Sequence, residues 1–333
     1  MNCPDCHVVV EEVPWAYDRS GFTRDFEEMV GYLAQSTSKT HVTRLMGITW
    51  TTVTEICGRV VERNLDPKRF DGLTNIGVDE FSYRRRHQYM TVVVDHARRR
   101  IIWAGKGRST EALKAFFEGL TEKQRSTIQH VTMDMFHSYR RAVEECLPRA
   151  KIVFDRFHVQ MLASDAVDTV RREQLKDLRG TPEGKSLFRS RFAVLKRPWN
   201  LDRRQREKLS AIKKTNEPLY RAYLMKEALA GCLDHSTLRG ARKAIKEWIS
   251  WASRSRLAPF VKLAKTIRRH LDGIVAYVES RLTNGLTEGL NSVIRMVTRR
   301  AFGFHAADSL ISMVFLCCGG IKLDPPLPER THR

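Results

Sequence analysis

The sequence lacks a long apolar run and lacks the paired cysteines of a disulfide-bonded fold. A bilayer-spanning helix takes about 18–20 apolar residues, and we find neither such a run nor a signal peptide. The seven cysteines are odd in number and scattered along 333 residues. That usage is typical of a reduced protein, so we expect a cytoplasmic location, no membrane and no disulfide scaffold.

A complete zinc site is also missing. Cys3 and Cys6 form one CxxC pair with His7 beside it. Zinc takes four ligands in a tetrahedron, and no second CxxC follows downstream. We therefore interpret the pair as an incomplete zinc half-site, and we expect no zinc in this truncated form of the chain.

Acidic residues are few relative to basic ones. The chain has 58 Lys and Arg against 38 Asp and Glu, which gives a net charge of +20. Such an excess predicts a polyanionic partner, because basic side chains that neutralise phosphates release counterions. Charge alone does not separate DNA from RNA or from an acidic membrane surface.

The stretch NIGVDEF, residues 75–81, reads as a buried strand that runs into Asp79 and Glu80. The same kind of pattern predicts four more strands, at residues 89–95, 100–105, 128–133 and 151–154. A helix is predicted at 110–120, between the strands at 100–105 and 128–133. Asp134 follows the strand at 128–133, and Asp155 follows the fifth strand, at 151–154. Acids at strand ends often only solvate a turn, but Asp79 and Asp134 both follow strongly apolar strands, which favours a site that they share.

Asp155 and His158 lie three residues apart where the fifth strand gives way to a helix. On a helical turn their side chains face the same way. They could bind metal together, or they could form a structural strut that fixes the strand end. We favour the structural role.

Residues 36–61 have the pattern of a helix-turn-helix. Val42 and Leu45 line a predicted first helix, Gly47 suits the turn, and a second apolar stripe follows. An ordinary helical hairpin is the alternative, and the basic charge favours DNA contact. The predicted DNA-contacting side chains are Lys39, Thr51, Thr52, Thr54 and Arg59.

Residues 161–280 change in character. This segment holds 27 basic and 13 acidic residues and shows helical rather than strand periodicity. Prolines punctuate its predicted helices, the last of which is predicted as one helix at 260–280. We interpret it as an all-helical basic insertion that contacts DNA, with a solvated helical bundle as the alternative.

A last amphipathic helix is predicted within residues 282–300. At about 100° per residue, its apolar side chains fall on one side. Glu288, Asn291, Ser292, Arg295 and Arg299 fall together on the opposite side. A carboxylate beside arginines and amides suits a face that meets metal and phosphate, although a solvated face with an ion-paired glutamate has the same pattern.

Four motifs in order carry a family resemblance over essentially the whole chain. They are IGVDEFSYRRRHQYMTVVVD, VTMDMFHSYRRAV, IVFDRFHV and LTNGLTEGLNSVIRMVTRRAFGF. The chain resembles the DDE transposases of the ISL3 insertion-sequence family. One departure is the single CxxC pair where family members look as though they carry a fuller zinc ribbon, which suggests an internal start or a degraded element.

The resemblance implies a catalytic set of Asp79, Asp134 and Glu288 that binds two Mg²⁺ or Mn²⁺ ions. Asp79 would bridge the ions, and the other two carboxylates would each hold one. Asp155 and His158 match a (C/D)xxH signature with a supporting role, to which we add Asn291 and Arg295. The implied partners are double-stranded DNA, at the terminal inverted repeats and the target, and a second copy in a homodimer or higher assembly. The implied host is bacterial, with the protein on the nucleoid.

The expected fold class is mixed α+β: a helix-turn-helix, then a ribonuclease-H-like core of five strands with helices, interrupted by the all-α insertion. The predicted segments are a zinc-ribbon remnant at 1–35, the helix-turn-helix at 36–65, the core at 73–160 and 281–320, the insertion at 161–280, and a disordered tail at 321–333. A structure-specific nuclease on the same fold and an inactive DNA-binding remnant remain as rival functions.

Overall fold

The computed structural model of the chain describes residues 2–3, 7–8, 13–18, 20–84, 88–301, 303–304 and 306–324. The chain divides into two compact units. The first consists of Met1–Ile128 with Gly285–Arg333, and the second of Gln129–Asn284. Nowhere in these described ranges is a helix both long and apolar enough to span a bilayer.

Strands and helices both occur up to β7, and the described residues after it are helical or irregular. The strands are β1 Asn2–Cys3, β2 His7–Val8, β3 Asn75–Arg84, β4 Gln88–Asp95, β5 Arg100–Lys106, β6 His130–Met133 and β7 Lys151–Phe154. The helices up to β7 are α1 Arg24–Ser36, α2 Lys39–Met46, α3 Trp50–Asn64, α4 Thr110–Glu118, α5 Glu122–Thr127 and α6 His137–Cys146. The later helices are α7 Arg156–Asp177, α8 Pro182–Leu187, α9 Arg191–Leu195, α10 Arg203–Thr215, α11 Glu217–Cys232, α12 Leu238–Ser253, α13 Ala258–Arg269, α14 Leu271–Ser280, α15 Gly285–Arg300 and α16 Ala307–Cys318.

Helices α2 and α3 form the predicted helix-turn-helix. Ser38 and Thr49 cap the two helices with their side-chain oxygens. Gly47 ends α2 with a positive φ of 66°, a conformation that glycine adopts without a Cβ clash. The prediction that Leu45 lines the first helix was wrong, because that side chain is 67% exposed while Val42 is buried.

Strands β3, β4 and β5 pair antiparallel in the first unit. Asp79 lies in the middle of β3, opposite Val92, and not at the strand end that the sequence suggested. The strand continues past the acids because Phe81 is buried and the ladder runs on to Arg84. Asp79 and Glu80 therefore lie inside β3 and do not mark its end.

One hydrophobic cluster holds the first unit together. It combines side chains of the α1–α3 helices, of β3–β5, and of α15 and α16. Gln35 at the end of α1 donates to the carbonyl oxygens of Leu316 and Ile321, at 2.8 and 3.1 Å. Arg300 at the end of α15 donates back to the carbonyls of Ala34 and Gln35. The helix-turn-helix is thus packed into the unit that carries the sheet.

The second unit begins with a β–α–β motif and continues as helices. Strands β6 and β7 pair parallel, with Met133 opposite Phe154. Helix α14 packs on β7, where Gly273 brings its backbone close to the Phe154 ring. The single helix predicted at 260–280 is two helices, α13 and α14, which meet at His270.

The α+β fold class is confirmed. The chain has N-terminal helices with a helix-turn-helix, five strands in mixed antiparallel and parallel pairing, and a largely helical region after them. The predicted bounds of the separate segments stay predictions, as does the disordered tail, most of which lies outside the described residues.

Candidate functional site

Asp79 and Asn291 meet in the first unit. Helix α15 packs on β3, and Asn291 Nδ2 donates to Asp79 Oδ2 at 2.7 Å. The other carboxylate oxygen of Asp79 accepts from the backbone N–H of Glu80 at 2.8 Å. Glu80 lies 3.7 Å from the guanidinium of Arg108. The Asp79 carboxylate is therefore held in a fixed orientation from both sides.

Glu288 lies three residues before Asn291 in α15, so the two side chains leave the same part of the helix surface. Glu288 is half-buried, whereas Asn291 is only 1% exposed. Of the polar side that the sequence predicted for this helix, Asn291 turns its amide inward to Asp79, whereas Ser292 is exposed. Arg295 and Arg299 are exposed as predicted, farther along the helix.

Asp134 and His158 meet in the second unit. Asp134 directly follows β6, and His158 lies in the first turn of α7. His158 Nε2 lies 2.6 Å from Asp134 Oδ1, so the imidazole holds this carboxylate. The sequence paired His158 with Asp155, and the Asp134 contact was not foreseen.

Asp155 is buried and caps α7. Its Oδ1 accepts from the backbone N–H of Phe157, and its Oδ2 from the N–H of Asn284, both at 3.0 Å. Asn284 Oδ1 in turn accepts from the Thr132 hydroxyl of β6 at 3.2 Å. These bonds join β6, β7 and the chain segment before α15, and they support the structural role that we favoured for Asp155.

Thr132 and Asn284 were missed by the sequence analysis. Asn284 lies immediately before α15 and is fully buried. A buried asparagine next to a glycine before a helix reads as an ordinary turn residue. Its contacts span more than 120 positions, so no local pattern could reveal them.

The donor groups in each unit fit a divalent cation of the Mg²⁺ type. Such ions take oxygen ligands and retain several waters. In the first unit, Asp79 and Glu288 offer carboxylates, and Asn291 Oδ1 is buried without a hydrogen-bond partner among the described residues. In the second unit, Asp134 offers a half-buried carboxylate. An unpaired amide oxygen next to a fixed carboxylate suits a cation or its bound water.

The predicted DNA-contacting residues of the helix-turn-helix separate into two groups. Thr51 is exposed, and Thr52 is half-buried with its hydroxyl 2.8 Å from that of Thr49. Lys39 is buried: it donates to the Thr54 hydroxyl at 2.9 Å, and its ammonium lies 4.5 Å from the Trp50 ring centroid. Burial lowers the pKa of Lys39. Lys39 and Thr54 therefore form a packing contact between α2 and α3. The burial of Lys39 contradicts its predicted DNA contact, while that of the half-buried Thr54 stays a prediction.

Arg59 is likewise engaged within the protein. With Arg63 it forms an ion pair to Glu27, which is fully buried on α1. Burial acts to raise the pKa of the Glu27 carboxyl, but hydrogen bonds from Arg59, Ser20 and Arg63 outweigh it and hold that pKa below its usual value. Arg59 is therefore part of a clamp between α1 and α3, and its predicted DNA contact stays a prediction.

The predicted zinc half-site is not covered by the structure. Cys6 lies outside the described residues, and of Cys3 only the backbone in β1 is described. The expectation that this chain holds no zinc stays a prediction.

The chain matches known protein families along most of its length. Residues 76–314 match a family described as "Transposase", of the DDE type of ISL3 elements. Residues 11–61 match the "Helix-turn-helix domain of transposase family ISL3". The first match spans Asp79, Asp134 and Glu288, and the second contains α2 and most of α3.

Relatives with similar sequences are bacterial. The transposase for insertion sequence element IS1557 of Mycobacterium tuberculosis is 38% identical over 99% of this chain and 79% of its own length. The transposase for insertion sequence element IS1001 of Bordetella parapertussis is 30% identical over 89% of this chain and 73% of its own length.

Proposed function

The chain belongs to the ISL3 family of DDE transposases, and we propose that it binds the ends of its own insertion sequence, cleaves DNA there and joins the ends to target DNA. The observation that carries this proposal is the family match, which includes all three acids that the sequence motifs single out. The contact between Asn291 and Asp79 supports it, since it ties the helix of Glu288 to the strand of Asp79.

Asp79, Asp134 and Glu288 are the proposed ligands of two Mg²⁺ or Mn²⁺ ions. When bound, such ions supply Lewis-acid stabilisation of the attacking and leaving oxygens in a displacement at phosphorus. The donor set suits them because every atom offered is a hard oxygen.

Neighbouring side chains position these carboxylates. Asn291 fixes the rotamer of Asp79, and His158 fixes that of Asp134. Asp155 holds the start of α7, and with it the position of His158. Arg295 and Arg299 are exposed on the helix of Glu288 and are proposed to bind DNA phosphates. These residues act by orientation and charge, and the acids hold the metal.

DNA recognition is proposed to come from two surfaces. The exposed start of α3, with Thr51 and Thr52, meets the terminal inverted repeats. The basic insertion adds affinity that does not depend on sequence, since phosphate contacts position DNA without reading it. We further propose a homodimer or larger assembly on DNA, in the bacterial cytoplasm at the nucleoid.

The test replaces one acid at a time while keeping its shape. Asp79→Asn, Asp134→Asn and Glu288→Gln should each bind duplex DNA nearly as well as the wild type but neither nick nor join it with Mg²⁺ or Mn²⁺. Asp308→Asn is the matched control, because Asp308 is an exposed acid of the first unit that forms a surface ion pair with Lys106. Normal cleavage by any one of the three variants would remove that residue from the set.

Strand joining separates the proposal from its rival. A structure-specific nuclease on the same fold would use the same acids and lose cleavage in the same variants. Incubating the wild type with element ends and a supercoiled target plasmid should give joined products. Cleavage without any joined product, over a range of end sequences, would favour the nuclease.

A further inference from the structure

Three large aromatic side chains are exposed within a short segment of the helical unit. Phe188 is 63% exposed, Phe192 58% and Trp199 71%. Aromatic side chains usually contribute large buried areas to a core. Their exposure in one segment, here residues 188–199, is a feature of interaction surfaces. We name these residues the aromatic segment.

The local fold turns these rings outward. Helix α9 buries its small side chains, Ala193 and Val194, and leaves Phe192 on the other side. Leu187 is fully buried immediately before Phe188. The short 3-10 helix Pro198–Asn200 then presents Trp199. The segment is therefore anchored by aliphatic residues, and its aromatic residues remain available.

Cations interleave with the aromatic rings. The sequence FRSRFAVLKRPW has four basic residues and no acidic residue. The Arg189 guanidinium lies 5.3 Å from the Phe188 ring centroid, and the Arg191 guanidinium lies 6.0 Å from that of Phe192. An aromatic surface with this charge favours a polyanion whose bases carry flat faces.

The end of the segment is held rigidly. Lys226 is buried, and its ammonium donates to the backbone carbonyls of Leu195 and Lys196 at 2.9 and 3.3 Å. Arg197 donates to Glu227 at 2.9 Å, and its guanidinium lies 4.7 Å from the Trp199 ring centroid. The Arg197 guanidinium, which Glu227 holds in place, thus covers one face of the Trp199 ring. The ring therefore loses little conformational freedom when a ligand binds.

We propose that the aromatic segment binds unpaired bases of a DNA strand, with Trp199 as the main stacking surface and the neighbouring basic residues on the phosphates. The proposal rests on the proposed transposase function, and it names the DNA form that the insertion recognises. Paired bases inside a duplex have both faces covered by their neighbours. An exposed ring of the protein can therefore stack only on bases at an opened or frayed end, and such stacking tolerates any base.

The test measures affinity for three DNA forms. The probes are a blunt duplex, the same duplex with unpaired thymines at one end, and a thymine oligonucleotide. The wild type should prefer the forked form over the blunt one. Trp199→Ala should lose about ten-fold in affinity for the forked form, because stacking of a base on an aromatic ring contributes on that scale. Its affinity for the blunt duplex should stay close to that of the wild type.

Matched variants separate stacking from other effects. Trp199→Phe should retain most of the preference, and Trp199→Leu should lose it although it remains apolar. Trp251→Ala removes another exposed tryptophan of the same unit and should leave the preference unchanged. Arg191→Gln should weaken all DNA forms alike and lower the salt dependence of binding, as loss of a phosphate contact does.

A spectroscopic measurement gives a direct readout. 2-Aminopurine in an unpaired position should lose fluorescence on binding to the wild type and keep it with Trp199→Ala. Neither metal nor cleavage is needed, so this signal is independent of whether the chain cuts and joins DNA. Equal quenching by both proteins would overturn the proposal. So would a change in oligomeric state in Trp199→Ala at unchanged forked-DNA affinity, which would assign the segment to a protein contact.

Discussion

At the scale of single residues, Asn291 joins the two elements of the first unit that carry proposed metal ligands. Its amide donates to Asp79 from a buried position on the same helix as Glu288. A neutral amide suits this role because it donates a hydrogen bond to the carboxylate and adds no positive charge that would repel a bound cation. An aspartate at the same position would place two like charges in contact.

We expect Asn291→Ala to lower DNA cleavage about ten-fold or more, since the loss of a group that orients a metal ligand has effects of that size. The free energy of unfolding should fall by about 1–2 kcal/mol, because a hydrogen bond to a charged group is lost. DNA affinity should be retained. Ser292→Ala is the control, as Ser292 is the exposed neighbour whose hydroxyl donates to the Glu288 carbonyl in its own helix. Equal activity of the two variants would contradict the positioning role.

Lys39 gives a second residue-scale prediction. Because the ammonium is buried, Lys39→Met should raise the free energy of unfolding at pH 7, while Thr54 keeps its bond to the Trp50 carbonyl. The slope of log affinity against log salt for duplex DNA should not change. Arg299→Gln, at an exposed site, should lower that slope by about one. A reduced slope in Lys39→Met would restore Lys39 to the DNA surface.

The pH dependence of the Lys39 effect has a definite sign. Burial holds the folded-state pKa of Lys39 below 10.5, the value for an unperturbed lysine. Between these two pKa values the unfolded state binds more protons, so the wild type gains stability as pH rises. The advantage of Lys39→Met in denaturant titrations should therefore be largest at neutral pH and shrink toward pH 10.5.

The sequence motifs single out candidate side chains, but they do not predict the directions in which those side chains point. Asp79, Asp134 and Glu288 stand out because acids follow apolar patterns within recognisable motifs. The inward turn of Asn291 and the burial of Lys39 depend on partners 212 and 15 positions away. Helical periodicity places a residue on a side of its helix, but it does not say which neighbour covers that side.

At the scale of elements, α1 and α3 are joined by the buried Glu27 and two arginines. Glu27→Gln keeps the shape of the side chain and leaves both arginines without their counter-charge. Breaking a buried pair in this way costs about 3 kcal/mol. We expect that loss in the free energy of unfolding at pH 7, measured by urea titration. Glu28→Gln, the adjacent half-buried acid of the same helix, should cost much less.

Acid should abolish the difference between wild type and Glu27→Gln. The folded-state pKa of Glu27 lies below its ordinary value of 4.5. Its contribution is therefore complete above about pH 4.5 and is lost as the pH falls through the folded-state pKa. A difference that stays constant down to pH 3 would show that charge is not the source.

Strands and helices were largely predictable because their signals are local. The bounds of β7 agree with the predicted apolar run, and α4 begins at Thr110 as predicted, with Ser109 as its capping residue. The length of β3 was underestimated, since an acid pair looks like a strand end when the partner strand is unknown. The break between α13 and α14 was missed because His270 carries no proline or glycine signal.

At the scale of the whole molecule, the helix-turn-helix shares its core with α15 and α16. Val53, Ile56 and Val60 are fully buried in the same cluster as Leu310 and Val314 of α16. Removing residues 1–65 would expose the apolar side of α16 to water. We expect this deletion to give aggregated protein or one that binds hydrophobic dyes, and not a trimmed enzyme that still binds DNA.

A gentler change should leave the fold intact. Thr51→Ala, at the exposed start of α3, should keep the melting temperature of the wild type and lose preference for the terminal repeats over random duplex. Competition binding with terminal-repeat duplex and random duplex would measure the change in preference.

For the deletion of residues 1–65, a folded and fully active product would show that the shared core is dispensable.

The bonds from Arg300 to the end of α1 also bear on how transposases of this kind acquire new DNA specificities. A DNA-recognition domain on a flexible linker can be exchanged as a unit between related proteins, because no other part of the protein packs on its surface. Here a foreign segment that replaces α1, α2 and α3 would have to bring carbonyls that Arg300 can reach and an apolar side that fits α16. New specificities for the ends of the insertion sequence should therefore arise by substitutions at exposed positions of α3, matched by changes in the terminal repeats. Chimaeras should function only when α15 and α16 are transferred along with residues 13–65.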